Sequence, residues 1–330
     1  MKIGIVGGSG FIGNHLTRYL SLNSDVKVLD VKPASIRLVR NASFETCDIR
    51  HYDNLCGSLS DVDFVIHAAI IQIPQINENK KLAYEVNVIG TQNVCKAVSE
   101  LPNIRGMILT SSWHTIGEHE LSGVVNEEFG FRPDKVEDRA RLYAISKMAQ
   151  EAIVRFYSEM SGKLFGIIRM GTVLGEDMPD KTAAQTFIDK GIKGELLTPF
   201  RHSMYRPMLY VDINDVCRAY SCYIENVLNG KIIKSANSLH SIVNVCYHEP
   251  VTILELAEMV RTSIISNSRG QIQPKISIVD KGIPPLFSSE DKTKIRVDIG
   301  KAKDLLGIDS LIAPKESIDR IVRSKLKERS

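Results

Sequence analysis

Short apolar runs alternate with helix-period stretches through the first half of the chain. Lys2 to Val6 reads as a strand and Phe11 to Leu20 as a helix. Val26 to Leu29 and Val62 to His67 follow as strands, Leu82 to Ser99 as a helix, and Gly106 to Thr110 as a strand. Such alternation predicts a parallel sheet, because parallel neighbours need crossover helices to connect them. A helix beginning near Tyr143 and a strand over Leu164 to Ile168 carry this doubly wound α/β unit to about residue 170.

The texture changes after Gly171. Gly175 to Tyr205 has few apolar runs and carries Asp177, Pro179, Gly191, Gly194 and Pro199, which predicts a substrate loop or a small lid. Regular pattern returns over Pro207 to Glu225 and over Ile242 to Val260, the latter read as a strand feeding a helix through Thr252. Near the end, Ile318, Ile321, Val322 and Leu326 form a helix-period stripe. The expected organisation is a doubly wound domain over 1–170, its sheet completed by part of 207–245, and a smaller, partly interleaved α/β substrate domain over 171–330.

Composition narrows the function classes. With 330 residues, 43% apolar and 25% charged, a large core is available, and disordered, collagen-like and disulfide-stapled classes are excluded. The net charge of +3 is spread without blocks, so no nucleic-acid partner is expected. Six scattered cysteines form no Cys-x-x-Cys pair and have no histidine at ligand spacing, which predicts reduced thiols and no metal site. No apolar run approaches the ~18 to 20 residues that span a bilayer, and a first strand at Lys2 leaves no room for a signal peptide. A cytoplasmic protein without membrane contact is expected.

Candidate chemistry begins at Gly7-Gly8-Ser9-Gly10-Phe11-Ile12-Gly13, placed between a strand and a helix. There, Gly7 permits a tight turn, Gly10 lets a pyrophosphate approach, Gly13 lets helix pack on strand, and the amides of the helix start face an anion. A purely structural turn is the alternative. Asp30 ends the next strand, 17 residues after Gly13, where a carboxylate accepts ribose hydroxyls and repels a 2′-phosphate. This favours NAD over NADP; Lys32 acts in the opposite sense, and a solvated strand end is the plainer reading of Asp30.

Tyr143 and Lys147 stand four apart, hence on one helix face. A phenol is a poor base near its ordinary pKa of ~10, but an adjacent cation stabilises the phenolate. Such pairs also arise by chance; the nearby Thr110-Ser111-Ser112 cluster at a strand end makes this one specific.

In order along nearly the whole chain, these motifs resemble the extended short-chain dehydrogenase/reductases, the NAD-dependent sugar-nucleotide epimerase and dehydratase group, a Rossmann fold. The resemblance is carried by the glycine turn, Asp48-Ile49-Arg50, Asp63 to Ala69, Asn87 to Thr91, Thr110 to Ser112, Tyr143 to Lys147, Arg206 to Asp212, Asn244-Val245, Val251 to Ile253, Asp298, Lys301 to Lys303 and Leu306-Gly307. It implies that Tyr143 is the catalytic acid/base, that Lys147 holds the nicotinamide ribose, and that Ser112 binds the reacting hydroxyl. It also implies that Gly7, Gly10, Phe11, Ile12, Gly13, Asp30, Asp48, Ile49, Ala68, Ala69 and Asn87 hold the cofactor. Subunits pairing through helices near Leu82 and Tyr143 would form a homodimer, with Val94, Val98, Ile153 and Phe156 available to that interface or to the core.

Departures from the family pattern bear on the reaction. Trp113 and His114 follow Ser112 where dehydratases carry an acidic pair, so dehydration is disfavoured. Thr172 stands where relatives have a substrate-binding Asn, and Arg206 matches an arginine that grips nucleotide phosphates. Ser111 to Gly117 also resembles a stretch of uronate dehydrogenases, which would bring His114 to a free sugar acid; packing is the plainer role for that histidine. The expected function is therefore an NAD-dependent epimerase of a nucleotide-activated sugar. A dehydrogenase of a free sugar or uronate is the alternative, and a non-catalytic Rossmann sensor is a third reading that the intact Ser112, Tyr143 and Lys147 oppose.

Overall fold

The structure is a computed structural model that describes residues 1–33, 39–235 and 237–329. Its central sheet has seven strands in the spatial order Ile242–Val245, Leu164–Met170, Gly106–Ser112, Phe64–His67, Lys2–Val6, Asp25–Asp30 and Ala42–Thr46. Every pairing is parallel. From Lys2–Val6 the chain winds outward to one edge and then returns to the other side at Phe64–His67. The crevice beyond Val6 and His67, which are register partners, is the switch point where α/β sheets bind ligands.

Central strands are covered on both faces and read as continuous apolar runs: every residue of Phe64–His67 and Gly106–Ser112 is buried. Ile3 and Ile5 pack with Leu16 and Leu20 on one face, while Val6 and Leu29 pack with Leu55, Leu59, Val94 and Val98 on the other. Val94 and Val98 are thus core residues, and the interface role offered for them does not hold. Edge strand Ala42–Thr46 and the helix Tyr52–Leu59 were absent from the sequence reading. The strand is half-exposed and mostly polar, and the helix is short and contains Gly57.

Three further elements differ from expectation. The stretch from Leu82 to Ser99 is broken into Lys80–Tyr84, a π-helical turn Glu85–Gly90, and Thr91–Glu100. The helix expected near Tyr143 starts at Asp138 and runs to Met160. Within Gly175 to Tyr205 lies a helix, Ala183–Ile192, whose buried Ala184, Phe187, Ile188 and Ile192 join Leu256, Val260 and Ile264 of helix Ile253–Asn267. That segment is packed structure, not a free lid.

The rest of the C-terminal half is tied to the sheet. Of the segment 207–245, Ile242–Val245 joins the central sheet, whereas Tyr210–Asp212 pairs with Thr172–Leu174 in a separate two-stranded sheet. Thr252 begins helix Ile253–Asn267 with a reciprocal cap: its Oγ1 accepts from Glu255 N at 3.1 Å, and Glu255 Oε2 accepts from Thr252 N at 2.8 Å. Ile318, Ile321 and Val322 bury the stripe of the last helix, Pro314–Arg329. No helix among the described residues is long and apolar enough to cross a membrane.

Candidate active site

The glycine turn fits a dinucleotide by what it leaves out. Gly7 has φ +81°, and a Cβ on it would lie 2.4 Å from Ala69 N; a Cβ on Gly13 would lie 2.6 Å from Gly8 Cα. The helix Phe11–Leu20 starts at Gly10 with no side-chain cap. Its first amides are therefore not claimed by a side chain of their own cap, and a Cβ on Gly10 would meet only Gly7 O, at 3.4 Å. Asp30 faces this turn: its carboxylate accepts from Ser9 N at 3.0 Å and Lys32 N at 3.1 Å. These residues fit the pyrophosphate and adenosine ribose of NAD, and Gly7, Gly10, Phe11, Ile12, Gly13 and Asp30 are brought together as expected.

Asp48 is held by Arg50, whose Nε lies 3.0 and 3.1 Å from the two carboxylate oxygens. That contact holds Asp48 below the usual carboxylate range. Ile49 is buried and fits against Gly90, where a Cβ would lie 2.5 Å from Ile49 Cδ1. Ala68 and Ala69 follow the Phe64–His67 strand directly beside Gly7. Asn87 is fully buried: it accepts from Ile71 N at 2.7 Å and donates to Ile71 O at 3.1 Å. Asn87 thereby fixes the loop after Ala69 rather than standing open in the cleft.

Ser112 ends its strand opposite Tyr143 on the long helix. Burial pushes the Tyr143 phenol upward in pKa, and a hydrogen bond with Ser112 acts against this. Lys147 lies one turn on, buried, with Nζ donating to Thr110 O at 2.6 Å. Burial pulls its ammonium down to about 7, opposed by Glu151 one turn further. Glu151 was missed in the sequence, although Tyr143, Lys147 and Glu151 share the i, i+4, i+8 face. Arg169 binds it through Nε at 3.0 Å to both oxygens, and Ser111 Oγ donates to it at 2.5 Å. This buried pair anchors the helix Asp138–Met160 to two strands.

Beyond Ser112 the site is built of charge. His114 places Nδ1 3.0 Å from Ser112 Oγ and Nε2 3.1 Å from Glu118 Oε1. Arg206 Nη1 lies 2.6 Å from Glu137 Oε1 and 3.6 Å from Glu118 Oε2. Arg206, expected to grip nucleotide phosphates, is buried beside these two carboxylates, with Nε and Nη1 making no hydrogen bond among the described residues. Trp113 Nε1 donates to Thr172 Oγ1 at 3.1 Å. The two family departures thus meet: the hydroxyl standing in place of the substrate-binding amide is engaged by the indole that follows Ser112.

Comparison with known proteins agrees with this geometry. A model of the NAD dependent epimerase/dehydratase family matches residues 3–237. The chain is 27% identical over 326 residues to a putative UDP-glucose 4-epimerase of Methanocaldococcus jannaschii, covering 96% of each chain. It is 25% identical over 328 residues to UDP-glucuronic acid decarboxylase 1 of Danio rerio, covering 98% of this chain and 72% of that one. The solved structure of Bacillus cereus UDP-glucuronic acid 4-epimerase, in complex with UDP-glucuronic acid and NAD, superposes with a TM-score of 0.79 at 22% identity over 100% of both chains. The match of the family model over most of the chain assigns it to the NAD-dependent epimerase/dehydratase family, as an enzyme with NAD as its cofactor.

Proposed function

We infer that this enzyme epimerises a nucleotide-activated sugar by transient oxidation of a carbinol and re-reduction. The observation that carries the reading is the grouping of Ser112, Tyr143 and Lys147 at the C-terminal edge of the sheet, beside the glycine turn. NAD, when bound, accepts and returns the two electrons. Tyr143 takes the hydroxyl proton as its phenolate and gives it back; Ser112 orients the reacting oxygen; Lys147, while protonated, supplies a nearby cation. The relatives named above act on UDP-glucose or UDP-glucuronic acid by their names, so these are the first substrates to offer. Incubation with catalytic NAD should yield the epimer without net accumulation of reduced cofactor.

One observation favours a second reading, net oxidation of a free sugar acid: Arg206 is already neutralised by Glu137 and Glu118 and offers no spare charge to a diphosphate. Stoichiometric cofactor reduction with free glucuronate, and none with UDP-sugars, would select that reading.

A homodimer is part of the proposal. Ile145, Phe156 and Met160 on the long helix are exposed, as are Tyr84 and Ile89 on the neighbouring turn. An apolar face of this kind suits a second copy of the same helix pair. Sedimentation at micromolar concentration should show a dimer that Phe156→Glu weakens.

A further inference from the structure

The mechanism above leaves unused a group of buried polar side chains behind the glycine turn. Where the chain leaves strand Phe64–His67 it passes close to Gly7, at which a Cβ would lie 2.4 Å from Ala69 N. Ala69 O and both backbone groups of Ile71 are then held by side chains. Asn87 accepts from Ile71 N and donates to Ile71 O, and its Nδ2 also donates to Ser146 Oγ at 3.2 Å. Gln150 Nε2 lies 2.8 Å from Thr91 Oγ1 and 3.4 Å from Ala69 O. Thr91 Oγ1 donates to Asn87 O at 2.8 Å and stands 2.8 Å from His67 Nε2. A threonine hydroxyl has one hydrogen, spent here on Asn87 O, so Gln150 and His67 both donate to its oxygen. His67, Asn87, Thr91 and Gln150 are wholly buried.

Ser146 and Gln150 stand four residues apart on the helix Asp138–Met160, with Lys147 between them. Two rungs therefore tie this helix to the segment Ala69–Ile71. One runs from Ser146 through Asn87 to Ile71, the other from Gln150 to Ala69, and Thr91 joins them by bonding both Gln150 and Asn87 O. Resting on the reading that the glycine turn holds NAD, we propose that Gln150 is a positioning residue for the cofactor. Through Ala69 O and Thr91 it fixes the wall beside Gly7 to the helix that carries Tyr143 and Lys147. Without Gln150, Ala69 O loses its donor and Thr91 loses one of its three bonds, so the wall is free to shift against the turn. A wholly buried residue far from the turn in sequence thus sets how tightly the turn binds. The same brace keeps Tyr143 at a fixed place relative to the turn, because the helix cannot drift without breaking buried hydrogen bonds.

Calorimetric titration with NAD, at a temperature where every variant is folded, tests this without substrate. Gln150→Leu and Thr91→Val should each bind NAD about tenfold more weakly than the wild type. Thr91→Ser keeps the hydroxyl and should bind within about twofold of the wild type. Since both residues serve one brace, adding Gln150→Leu to Thr91→Val should weaken NAD by less than about threefold more, whereas independent sites would multiply their losses. A role in stability alone would lower the melting temperature and leave NAD affinity unchanged in the folded variants. That result overturns the proposal, as do multiplied losses in the double variant or a Thr91→Ser that binds as weakly as Thr91→Val. If Gln150→Leu does not fold, Gln150→Met takes its place in the same comparison. Asp30→Ala tests the turn itself: wild-type affinity there would count against the turn as the NAD site, while the Gln150 and Thr91 variants still judge the brace.

Discussion

The two ends of the cleft are built by different means. At the end proposed for the cofactor, one continuous segment from Val6 to Gly13 forms the turn, and its requirements are backbone requirements: a positive φ at Gly7 and no Cβ at Gly13. At the end proposed for the substrate, Ser112, Trp113, His114, Glu118, Glu137, Thr172 and Arg206 come from four stretches of chain and meet through side-chain charge and hydrogen bonds. A binding function that rests on backbone geometry is local and written in adjacent residues. A specificity function that rests on charge pairing is distributed and can be rebuilt within one fold.

The largest effect should separate chemistry from cofactor binding. Tyr143→Phe removes the group that moves the proton and touches nothing in the glycine turn, so turnover should fall by about 10² to 10⁴-fold while NAD binding by calorimetry stays near wild type. Comparable losses in both would erase the division between the two ends.

Next in size is Arg206→Ala. Removing the cation from a buried group of carboxylates should cost about 3 to 5 kcal/mol of stability in denaturant unfolding, even without ligand. Unchanged stability, with loss confined to UDP-sugar binding, would instead restore Arg206 as a phosphate ligand.

Lys147 tests the junction between the ends through pH. Its pKa is lowered to about 7 in the folded protein, against ~10.4 for a free lysine, so between these values the unfolded chain binds the extra proton and stability rises with pH. Below about 7 both states are protonated and the burial penalty is fully present. Lys147→Met takes no proton in either state. Relative to the wild type, its advantage in unfolding free energy without NAD should therefore shrink between pH 7 and 9, on the order of 2 kcal/mol. A constant difference would mean that the buried amine keeps an ordinary affinity for its proton.

The smallest expected effect lies wholly at the cofactor end. Asp30→Ala should weaken NAD by roughly tenfold and narrow its advantage over NADP, through loss of ribose hydrogen bonds and of the repulsion toward a 2′-phosphate. Wild-type preference for NADP would reverse the roles read for Asp30 and Lys32.

What was legible in the sequence follows the same division. The inner strands Lys2–Val6, Phe64–His67 and Gly106–Ser112 stood out because burial on both faces leaves an unbroken apolar run. Ala42–Thr46 did not, since an edge strand that is half-exposed needs no such run. Helix Ala183–Ile192 was hidden by Gly191, which is buried where the helix meets Ile264, and by the charged Asp189 and Lys190 beside it, and only packing against Ile253–Asn267 reveals it. Tyr143 and Lys147 announced themselves by helical spacing. The carboxylates beside Arg206 were not legible, because nothing in its own neighbourhood indicates that Glu118 and Glu137, some seventy to ninety residues earlier in the chain, close around it.

The central claim is that the cleft oxidises a nucleotide sugar and then re-reduces it without losing the electrons. Mixing NAD-loaded enzyme with UDP-glucuronic acid and following the fluorescence of reduced nicotinamide through a single turnover tests this directly. The account predicts a signal that rises and falls back as an epimeric nucleotide sugar forms, and that is absent in Tyr143→Phe. A rise to one equivalent with no return would contradict it, as would a flat trace with UDP-glucuronic acid and UDP-glucose alike.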